Sequence, residues 1–515
     1  MTISLRHLRI MLSAFLCLIT SLSGYASHSQ QPPLPRHLPA HVANRFCDLM
    51  VLYNGRICPL HTLAHDFTVK LTGEKSYRGL SAEQVFTSWI FHFTSWRGEK
   101  MIKIKGNDAC RSLGIDGNQA SLSDFFDETG RYRLDNPTKE LRDADEKYNI
   151  FKMLYAGQLL KIFPLRNAEG TVMWYSPGDN LPIATDDEKW IFTKKTLDYA
   201  HELVIMNDYS SLTHLLEKIA KFQTKEAADV MPSELRIGVE CLYNRFHSTR
   251  LFFIATLMVG LLMLVVSLSF TARGTSLPRS ITLGMQVFGI AALIWLALDF
   301  AMRWIIGAHI PLSNGFDTLL FMALLIAVAS LVLQRHYPLV LPLGTLLCGM
   351  VMLAAHIAEK NPQITPLMPV LNSPLLSIHV AVIMMAYALF AIVMLNSAAA
   401  LVMHRFVHLP QAWVAQSAVA GRILLYPAVF LLTAGIFIGA VWANVSWGRY
   451  WGWDPKEVWA LITMLIYSTA LHCKWLRCFC RPVFFHWFAL LAFLSVLFTY
   501  FGVNYLLGGL HSYGS

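Results

Sequence analysis

Charged residues are scarce in this chain of 515 residues: Asp, Glu, Lys and Arg make up 15% of it, whereas hydrophobic residues make up 55%. A soluble domain ordinarily carries about a quarter charged residues, so this composition excludes an ordinary soluble globule. Acidic side chains are rarest in the second half, where residues 250–515 hold 5 Asp or Glu and 13 Lys or Arg. Residues 1–249 hold 28 Asp or Glu and 29 Lys or Arg. The sequence therefore predicts a soluble region followed by a membrane region. Its basic pI indicates charged membrane loops, not a nucleic-acid partner.

The first half also lacks a Walker loop, a Ser/His/Asp set and a zinc-binding spacing. Arg6 and Arg9 precede a short apolar run that ends at Leu22, and small residues follow up to Ala26. This pattern is typical of an export signal over residues 1–26, with an uncleaved N-terminal anchor as the alternative. In both cases residues 27–248 are expected outside the cytoplasm.

The exported region, residues 27–248, is predicted to be a folded α+β domain of unassigned role. Ser81 and Gln84 form a capping-box pattern before an apolar helical face. Met101–Lys105 alternates like a short strand. Four cysteines could form disulfides or remain free thiols, and their spacing does not decide between the two. They are Cys47, Cys58, Cys110 and Cys241.

Residues 249–515 are predicted to form a polytopic bundle of about eight membrane spans, so the fold class is mainly α. Each apolar segment is near the length that a bilayer demands, although the seventh is short. The segments are Leu251–Phe270, Ile281–Ile305, Thr318–Leu333, Leu339–Ile357, Leu376–Met403, Ile423–Val441, Val458–His472 and Val483–Leu507.

The distribution of basic residues predicts the orientation of this bundle. If the N-terminal domain lies outside, the cytoplasmic loops carry eight Lys or Arg and the outer connections carry four. This bias agrees with the positive-inside rule. The sequence thus predicts a multi-pass protein of the inner membrane, with its N-terminal domain and its C-terminus on the extracytoplasmic side.

Residues 442–459, between the sixth and seventh segments, contain six aromatic side chains among eighteen residues. An interfacial belt needs only one or two rings at each span end, so this loop is predicted to be a platform for a planar apolar ligand such as a porphyrin. Arg449 and Lys456 could pair with the ligand's carboxylates. A purely structural belt is the alternative. The aromatic residues are Trp442, Trp447, Tyr450, Trp451, Trp453 and Trp459.

Histidines indicate which planar ligand would suit the loop. His379 and His511 are predicted on the same side of the membrane as the tryptophans, and imidazole is the common protein ligand of haem iron. His472, near the cytoplasmic end of the seventh segment, is a separate candidate because ionisable groups at membrane depth are usually functional. His309, His356 and His486 lie near membrane surfaces too, and the residues alone do not exclude them.

Several separated motifs resemble the CcsA (ResC) branch of the WWD-domain haem-handling proteins, which serve cytochrome c maturation system II. Residues 447–459 resemble the WWD signature, and residues 439–444 and 510–515 resemble segments of the same branch. Further segments that resemble this branch are Arg303-Trp304 and Pro311-Leu312-Ser313-Asn314. The resemblance covers residues 281–515. More weakly, the N-terminal domain is similar to one that accompanies fused CcsB–CcsA synthases.

The resemblance implies roles for individual residues. His379 and His511 match the two axial ligands of a haem at the outer surface, and His472 matches a ligand of a second, intramembrane haem. The tryptophan-rich loop, with Asp454 of the signature, would hold the outer haem. The CcsB partner supplies the other intramembrane ligand in the family, and no matching span is found in this chain. Either a separate CcsB-like protein supplies that ligand or this chain lacks a complete transit path, and His486 is a candidate for an internal substitute.

The implied reaction is covalent attachment of haem b to the Cys-x-x-Cys-His segment of an exported apocytochrome c, which makes this chain a component of a cytochrome c synthase. The implied partners are a CcsB/ResB-like membrane protein, the apocytochrome and a thioredoxin-type thiol reductant. No catalytic base is assigned, and Cys473, Cys478 and Cys480 are expected to be ordinary thiols on the inner side. The alternatives are a haem carrier without ligation activity and a b-type electron-transfer cytochrome.

Overall fold

The computed structural model describes most of the chain. The described residues are 33–134, 138, 141–167, 169–183, 185–246, 248–312, 314–335, 337–359, 362–366, 373–407, 411–473 and 475–507. The predicted export signal and His511 lie outside them.

The N-terminal region consists of helices and small antiparallel hairpins, which confirms the expected mixture of α and β structure. Within the described residues, strands pair as β1–β2, β3–β4, β5–β6 and β7–β8. Its elements are α1 (Ala40–Cys47), β1 (Met50–Tyr53), β2 (Arg56–Pro59), α2 (Leu60–Thr72), β3 (Ser76–Tyr77), β4 (Leu80–Ser81), α3 (Ala82–Phe91), α4 (Phe93–Trp96), β5 (Ile102–Lys103), α5 (Asn107–Leu113), β6 (Gln119–Ala120), α6 (Arg142–Tyr155), β7 (Phe163–Arg166), β8 (Val172–Tyr175), α7 (Asp187–Ile205), α8 (Tyr209–Ala227) and α9 (Glu234–Phe246).

Local sequence signals account for parts of this region. The capping box at Ser81 is present, because the Gln84 backbone N–H donates to Ser81 Oγ and the Ser81 N–H donates to Gln84 Oε1. The following helix buries Phe86 and Trp89 in the core of the region. The expected strand at Met101–Lys105 is shorter than predicted, because only Ile102 and Lys103 pair with β6. The cysteines of the described residues are all free thiols.

The second half is a bundle of long apolar helices, as predicted. Seven helices among the described residues are long and apolar enough to cross a membrane. The elements are α10 (Thr249–Ala272), α11 (Arg279–Gly307), α12 (Gly315–Leu333), α13 (Val340–Ala358), α14 (Pro374–Val402), α15 (Gln411–Trp447), α16 (Pro455–Thr469), α17 (Pro482–Leu497) and α18 (Val503–Leu506).

The segment predicted as the seventh span, Val458–His472, forms a helix that is shorter than a membrane span. Helix α16 has 15 residues, which at 1.5 Å per residue gives a length of about 22 Å. This is less than the roughly 30 Å hydrocarbon core of a bilayer. The helix begins at Pro455, after a cap, and ends at Thr469. His472 therefore lies beyond the helix, not within its last turn.

Contacts between neighbouring helices show which helix ends lie together. His379, near the start of α14, bonds to Gly435, in the second half of α15, whereas Asn396, near the end of α14, bonds to Ser417, near the start of α15. The two helices are therefore antiparallel. The connection before α14 contacts the N-terminal region, since Asn54 Nδ2 donates to Gln363 Oε1. We call this end of the bundle the junction face; the end of α15 and the start of α16 belong to it.

A buried arginine of the bundle joins three parts of the molecule at the junction face. Arg303 of α11 is 1% exposed, and its Nε donates to Asp317 Oδ1 of α12 at 2.7 Å. Its Nη1 donates to the hydroxyl of Tyr243, in α9 of the N-terminal region, at 2.8 Å. Its guanidinium also donates to the carbonyl oxygens of Pro362 and Gln363. One side chain thus holds the two halves and the 362–366 connection together.

A second buried ion pair stabilises the same junction from the N-terminal side. Arg56 of β2 donates to both carboxylate oxygens of Glu240 in α9, at 2.8 and 2.6 Å. Its Nε donates to the carbonyl oxygen of Ile364 at 2.8 Å, and Thr62 Oγ1 donates to Glu240 at 2.6 Å. Because Glu240 balances the charge of Arg56, the guanidinium can lie buried against the connection between α13 and α14.

We expect Glu240→Gln to destabilise the protein strongly, because it leaves Arg56 buried without its carboxylate. Removing one partner of a buried pair costs about 3–5 kcal/mol. The measurement is the thermal unfolding midpoint of the purified full chain in detergent. Glu234→Gln, at an exposed position of the same helix, is the matched control. Equal midpoints for the two variants would contradict a stabilising role of the pair.

Candidate functional site

Residues 442–447 of the predicted loop form the end of α15, so the tryptophan-rich loop itself begins after Trp447, at the junction face. Trp442 is 1% exposed and packs edge-on against Trp447, with ring centroids 4.8 Å apart. Gly448 follows with φ +73°, a left-handed conformation that glycine adopts without steric cost. The helix therefore stops at a fixed point, with one indole anchored in the bundle and the chain turned towards the start of α16.

Two carboxylates fold the rest of the loop. Asp454 is buried and caps α16, since its Oδ1 accepts the backbone N–H of Lys456 at 3.0 Å. Glu457 Oε2 accepts the N–H groups of Gly452 and Asp454, at 2.8 and 3.2 Å. This capping box, with Pro455 at the first helical position, fixes the backbone from Gly452 onwards. The observed contacts of Asp454 are those of a cap, and its predicted contact with haem stays a prediction.

The loop exposes part of its aromatic surface. Trp453 is 76% exposed and Tyr450 is also exposed. The rings of Trp451 and Trp453 are perpendicular, with centroids 6.1 Å apart. Trp453 has φ +57°, a left-handed conformation that costs an L-residue roughly 1–2 kcal/mol. Trp453 thus has a strained backbone conformation and a side chain that is exposed to solvent.

The other predicted platform residues differ in their exposure and in their distance from this aromatic surface. Arg449 is exposed, and its guanidinium lies over Gly452, where a Cβ atom would come within 3.2 Å of Arg449 Cζ. Lys456 is half-buried. Trp459 points into the bundle, because its ring lies 4.2 Å from that of Phe498. Arg449 is therefore the cation placed with the exposed rings, and Trp459 anchors α16.

His379 lies beside the second half of α15. Its Nδ1 donates to the carbonyl oxygen of Gly435 at 2.7 Å. A Cβ atom on Gly439 would come within 2.5 Å of His379 Cε1, so the ring packs directly on the backbone at this glycine. Gly439 precedes Trp442 by three residues, which is about 4.5 Å along the helix. The structure therefore places His379 about one turn from the anchored tryptophan.

The other predicted histidines lie elsewhere. His511 lies outside the described residues. His472 is exposed, at the far end of α16 from the tryptophan loop, so the structure does not bring it together with His379. His309 faces the carbonyl oxygens of Ile310 and Thr365 with its two ring nitrogens.

His486, the internal substitute considered from the sequence, has both ring nitrogens engaged. Nε2 lies 3.2 Å from the Val414 carbonyl oxygen and Nδ1 lies 3.1 Å from Ser397 Oγ. A carbonyl only accepts, so Nε2 carries the proton and the neutral ring accepts from Ser397. His486 is thus a hydrogen-bonded core histidine at the end of the bundle opposite the junction face.

Sequence reasoning missed Glu457, Gly435 and Gly439 as parts of this site. The signal for Glu457 is present, because Asp-Pro-Lys-Glu is a capping-box sequence before an apolar run. The two glycines, four residues apart, would lie on one helix face. That spacing alone does not indicate which side chain packs against them.

The fold and site define a class: a polytopic helical membrane protein that presents a capped, tryptophan-rich loop at one end of its bundle. A family model described as "Cytochrome C assembly protein" matches residues 312–511. Cytochrome c biogenesis protein CcsA of Synechococcus sp. (strain RCC307) is 33% identical over 294 residues, which is 50% of this chain and 92% of that protein. CcsA of Chlamydomonas reinhardtii is 35% identical over 250 residues, 46% of this chain and 69% of that protein.

The chain belongs to the CcsA family of cytochrome c biogenesis proteins. Protein NrfI of Wolinella succinogenes is 30% identical over 529 residues. That alignment covers 97% of this chain, so it includes the N-terminal region, and 58% of NrfI. The chain thus spans a little over half the length of this relative.

We expect Asp454→Ala to loosen the tryptophan loop, because it removes the cap of α16. Loss of such a cap costs about 1 kcal/mol. Asp454→Asn keeps an oxygen acceptor at the cap and is the matched control. The measurement is the rate of limited proteolysis between Gly448 and Asp454, which should rise for Asp454→Ala and stay near wild type for Asp454→Asn. Faster cleavage of both variants to the same extent would show that the charge, not the cap, orders the loop.

Proposed function

We propose that this protein binds haem at the tryptophan loop and presents it for thioether attachment to the Cys-x-x-Cys-His segment of an exported apocytochrome c. The observation that carries the proposal is the setting of His379: a histidine oriented by a backbone carbonyl, lying one helical turn from Trp442, the first tryptophan of the segment 442–459. Membership of the CcsA family supports the biological process, since the named relatives are cytochrome c biogenesis proteins.

The hydrogen bond of His379 suits an iron ligand. Because the Gly435 carbonyl can only accept, Nδ1 carries the proton, and in the neutral ring the lone pair lies on Nε2. Metal-binding histidines typically donate their other ring N–H to a carbonyl or carboxylate, which fixes the tautomer and the ring orientation. His379 has this arrangement, with Nε2 as the ligating atom. His511 is the proposed second axial ligand.

The strained, exposed indole of Trp453 supports a ligand platform. Backbone strain concentrates at functional sites, where the surrounding structure holds a residue in a sparsely populated conformation. An interfacial anchor needs no such conformation. The perpendicular pair of Trp451 and Trp453, with the exposed Arg449 beside Gly452, offers apolar faces and one cation. A porphyrin presents the complementary features, a flat apolar ring and carboxylates.

The proposed chemistry is the addition of each acceptor thiol across a vinyl group of haem. The S–H bond and the vinyl π bond break, a C–S bond forms, and the proton ends on the neighbouring vinyl carbon. The addition is redox-neutral, so each acceptor cysteine must arrive as a thiol and not as a disulfide. Keeping these cysteines reduced is the role of a thioredoxin-type reductant. The loop contributes orientation, since aligning two reacting groups supplies much of the rate of such an addition.

A second haem site, within the membrane, requires a partner. His472 is exposed at the end of the bundle opposite the tryptophan loop, so a CcsB/ResB-like membrane protein could approach it and supply the other axial ligand. The tryptophan loop would then lie on the extracytoplasmic side of the inner membrane, together with the N-terminal domain of residues 27–248.

The function is tested by coexpressing the full chain with a CcsB-like partner and an apocytochrome c. We expect haem-stained cytochrome c for wild type and a loss of roughly tenfold or more for Gly439→Ala, because the new methyl group displaces the His379 ring. A misplacement of about 1 Å can cost roughly 100-fold in rate.

Gly284→Ala is the matched control for this experiment, since it adds a methyl group to α11 at a position with open space. Bound haem without haem-stained product would favour a haem carrier. Equal yields from Gly439→Ala and Gly284→Ala would contradict the role of His379.

Trp453→Gly separates the platform from a membrane anchor. Glycine adopts the left-handed conformation without steric cost, so we expect the haem-free protein to gain about 1 kcal/mol of stability. Haem retention should fall about two- to tenfold, because a ring contact of 0.5–1.5 kcal/mol is lost. Trp453→Ala removes the indole but keeps the strain, so it should lose haem without gaining stability. Unchanged haem retention in both variants would leave Trp453 outside the platform.

A further inference from the structure

A cavity lies between the N-terminal region and the junction face, apart from the residues of the tryptophan loop and from His379. Its volume is about 360 Å³, within the range of roughly 300–1,000 Å³ for small-molecule sites. One wall is formed by β2, β8 and the start of α9, and the other by Gly307, Thr365 and Pro366. Gly307 ends a candidate span, and Thr365 and Pro366 belong to the connection between two others. The cavity therefore opens at the surface of the membrane bundle.

Two donors that line this cavity are left without acceptors. The Arg236 Nε–H and the Trp174 Nε1–H are buried and make no hydrogen bond to any residue that the structure describes. Trp174 is 5% exposed. A buried donor without a partner costs roughly 1–3 kcal/mol. Both side chains line the same cavity, so one bound group with acceptor oxygens could satisfy both.

The charges at the cavity leave one cation uncompensated. Arg56 also lines the cavity, but Glu240 takes both of its Nη groups in a buried pair. Arg236, one helical turn before Glu240 on α9, has no carboxylate within 4.0 Å in the described part of the chain. Burial, and after it the neighbouring Arg56, lowers the pKa of the Arg236 guanidinium, and Glu240 offsets only part of this effect. The site thus holds a net positive charge that an anion would relieve.

We infer that this cavity binds a phosphate or carboxylate group attached to an apolar body, with Arg236 and Trp174 as the donors to its oxygens. The remaining walls are apolar, from residues such as Leu52, Ile57 and Val172, so a bare inorganic ion would leave them uncovered. A phospholipid headgroup at the membrane surface and a free soluble anion share this chemistry. Either would link β8 to α9 through these donors and would lie against Gly307 at the end of α11.

The test measures binding to the purified full chain by native mass spectrometry, in detergent, with two probes: dioleoyl phosphatidylglycerol and inorganic phosphate. We expect one tightly retained anion on wild type. Arg236→Gln and Trp174→Phe should each weaken its binding by about tenfold, since a hydrogen bond to a charged group contributes roughly 1.5–3 kcal/mol. Arg236→Lys should restore part of the loss. Arg245→Gln, at an exposed position of the same helix, is the matched control.

The two probes distinguish the sources of the anion. Retention of phosphatidylglycerol that phosphate does not displace identifies a lipid headgroup, whereas binding of phosphate that competes with the lipid identifies a soluble anion. Equal binding of both probes by wild type, Arg236→Gln and Trp174→Phe would overturn the inference. The unfolding midpoint without added probe shows that each variant is folded, and Trp174→Phe keeps the aromatic packing while removing only the donor.

Discussion

The packing of the His379 imidazole against Gly435 and Gly439 of α15 organises the candidate site. Gly435 offers its carbonyl oxygen to His379 Nδ1, and Gly439 has no side chain to keep the ring away. With any larger residue at Gly439 the ring could not occupy its observed position. Because Trp442 lies one turn further along the same helix, this contact also sets the distance between the histidine and the tryptophan loop. The histidine and the loop therefore share one rigid support.

Buried arginines give this support a fixed relation to the N-terminal region. Arg303 joins α11, α12, α9 and the 362–366 connection, and Arg56 joins β2, α9 and the same connection. That connection leads towards α14, which carries His379. Separating the partners of a buried ion pair leaves an uncompensated buried charge, which costs about 3–5 kcal/mol. The junction thus specifies one placement of the N-terminal region over the end of the bundle from which the tryptophan loop projects.

The sequence predicted the features that depend on local pattern or on length. The capping box at Ser81 and the apolar helices follow from neighbours a few residues apart, and the tryptophan loop is visible from composition alone. The short helix α16 was predicted as a span because its apolar run continues past Thr469, where the helix ends. The contacts of Arg56 with Glu240, 184 residues apart, could not be predicted, because no local signal pairs such distant residues. For the same reason, the sequence does not indicate that Trp174 and Arg236 line one cavity.

The most direct test of the account is the absorbance spectrum of the purified full chain, before and after dithionite, for wild type and His379→Ala. We expect a low-spin haem with two axial imidazoles in wild type, its loss in His379→Ala, and its partial return when imidazole is added. His309→Gln, on the same face, should retain the wild-type spectrum. A His379→Ala protein with the wild-type spectrum and haem content would contradict ligation by His379 and, with it, the proposed site.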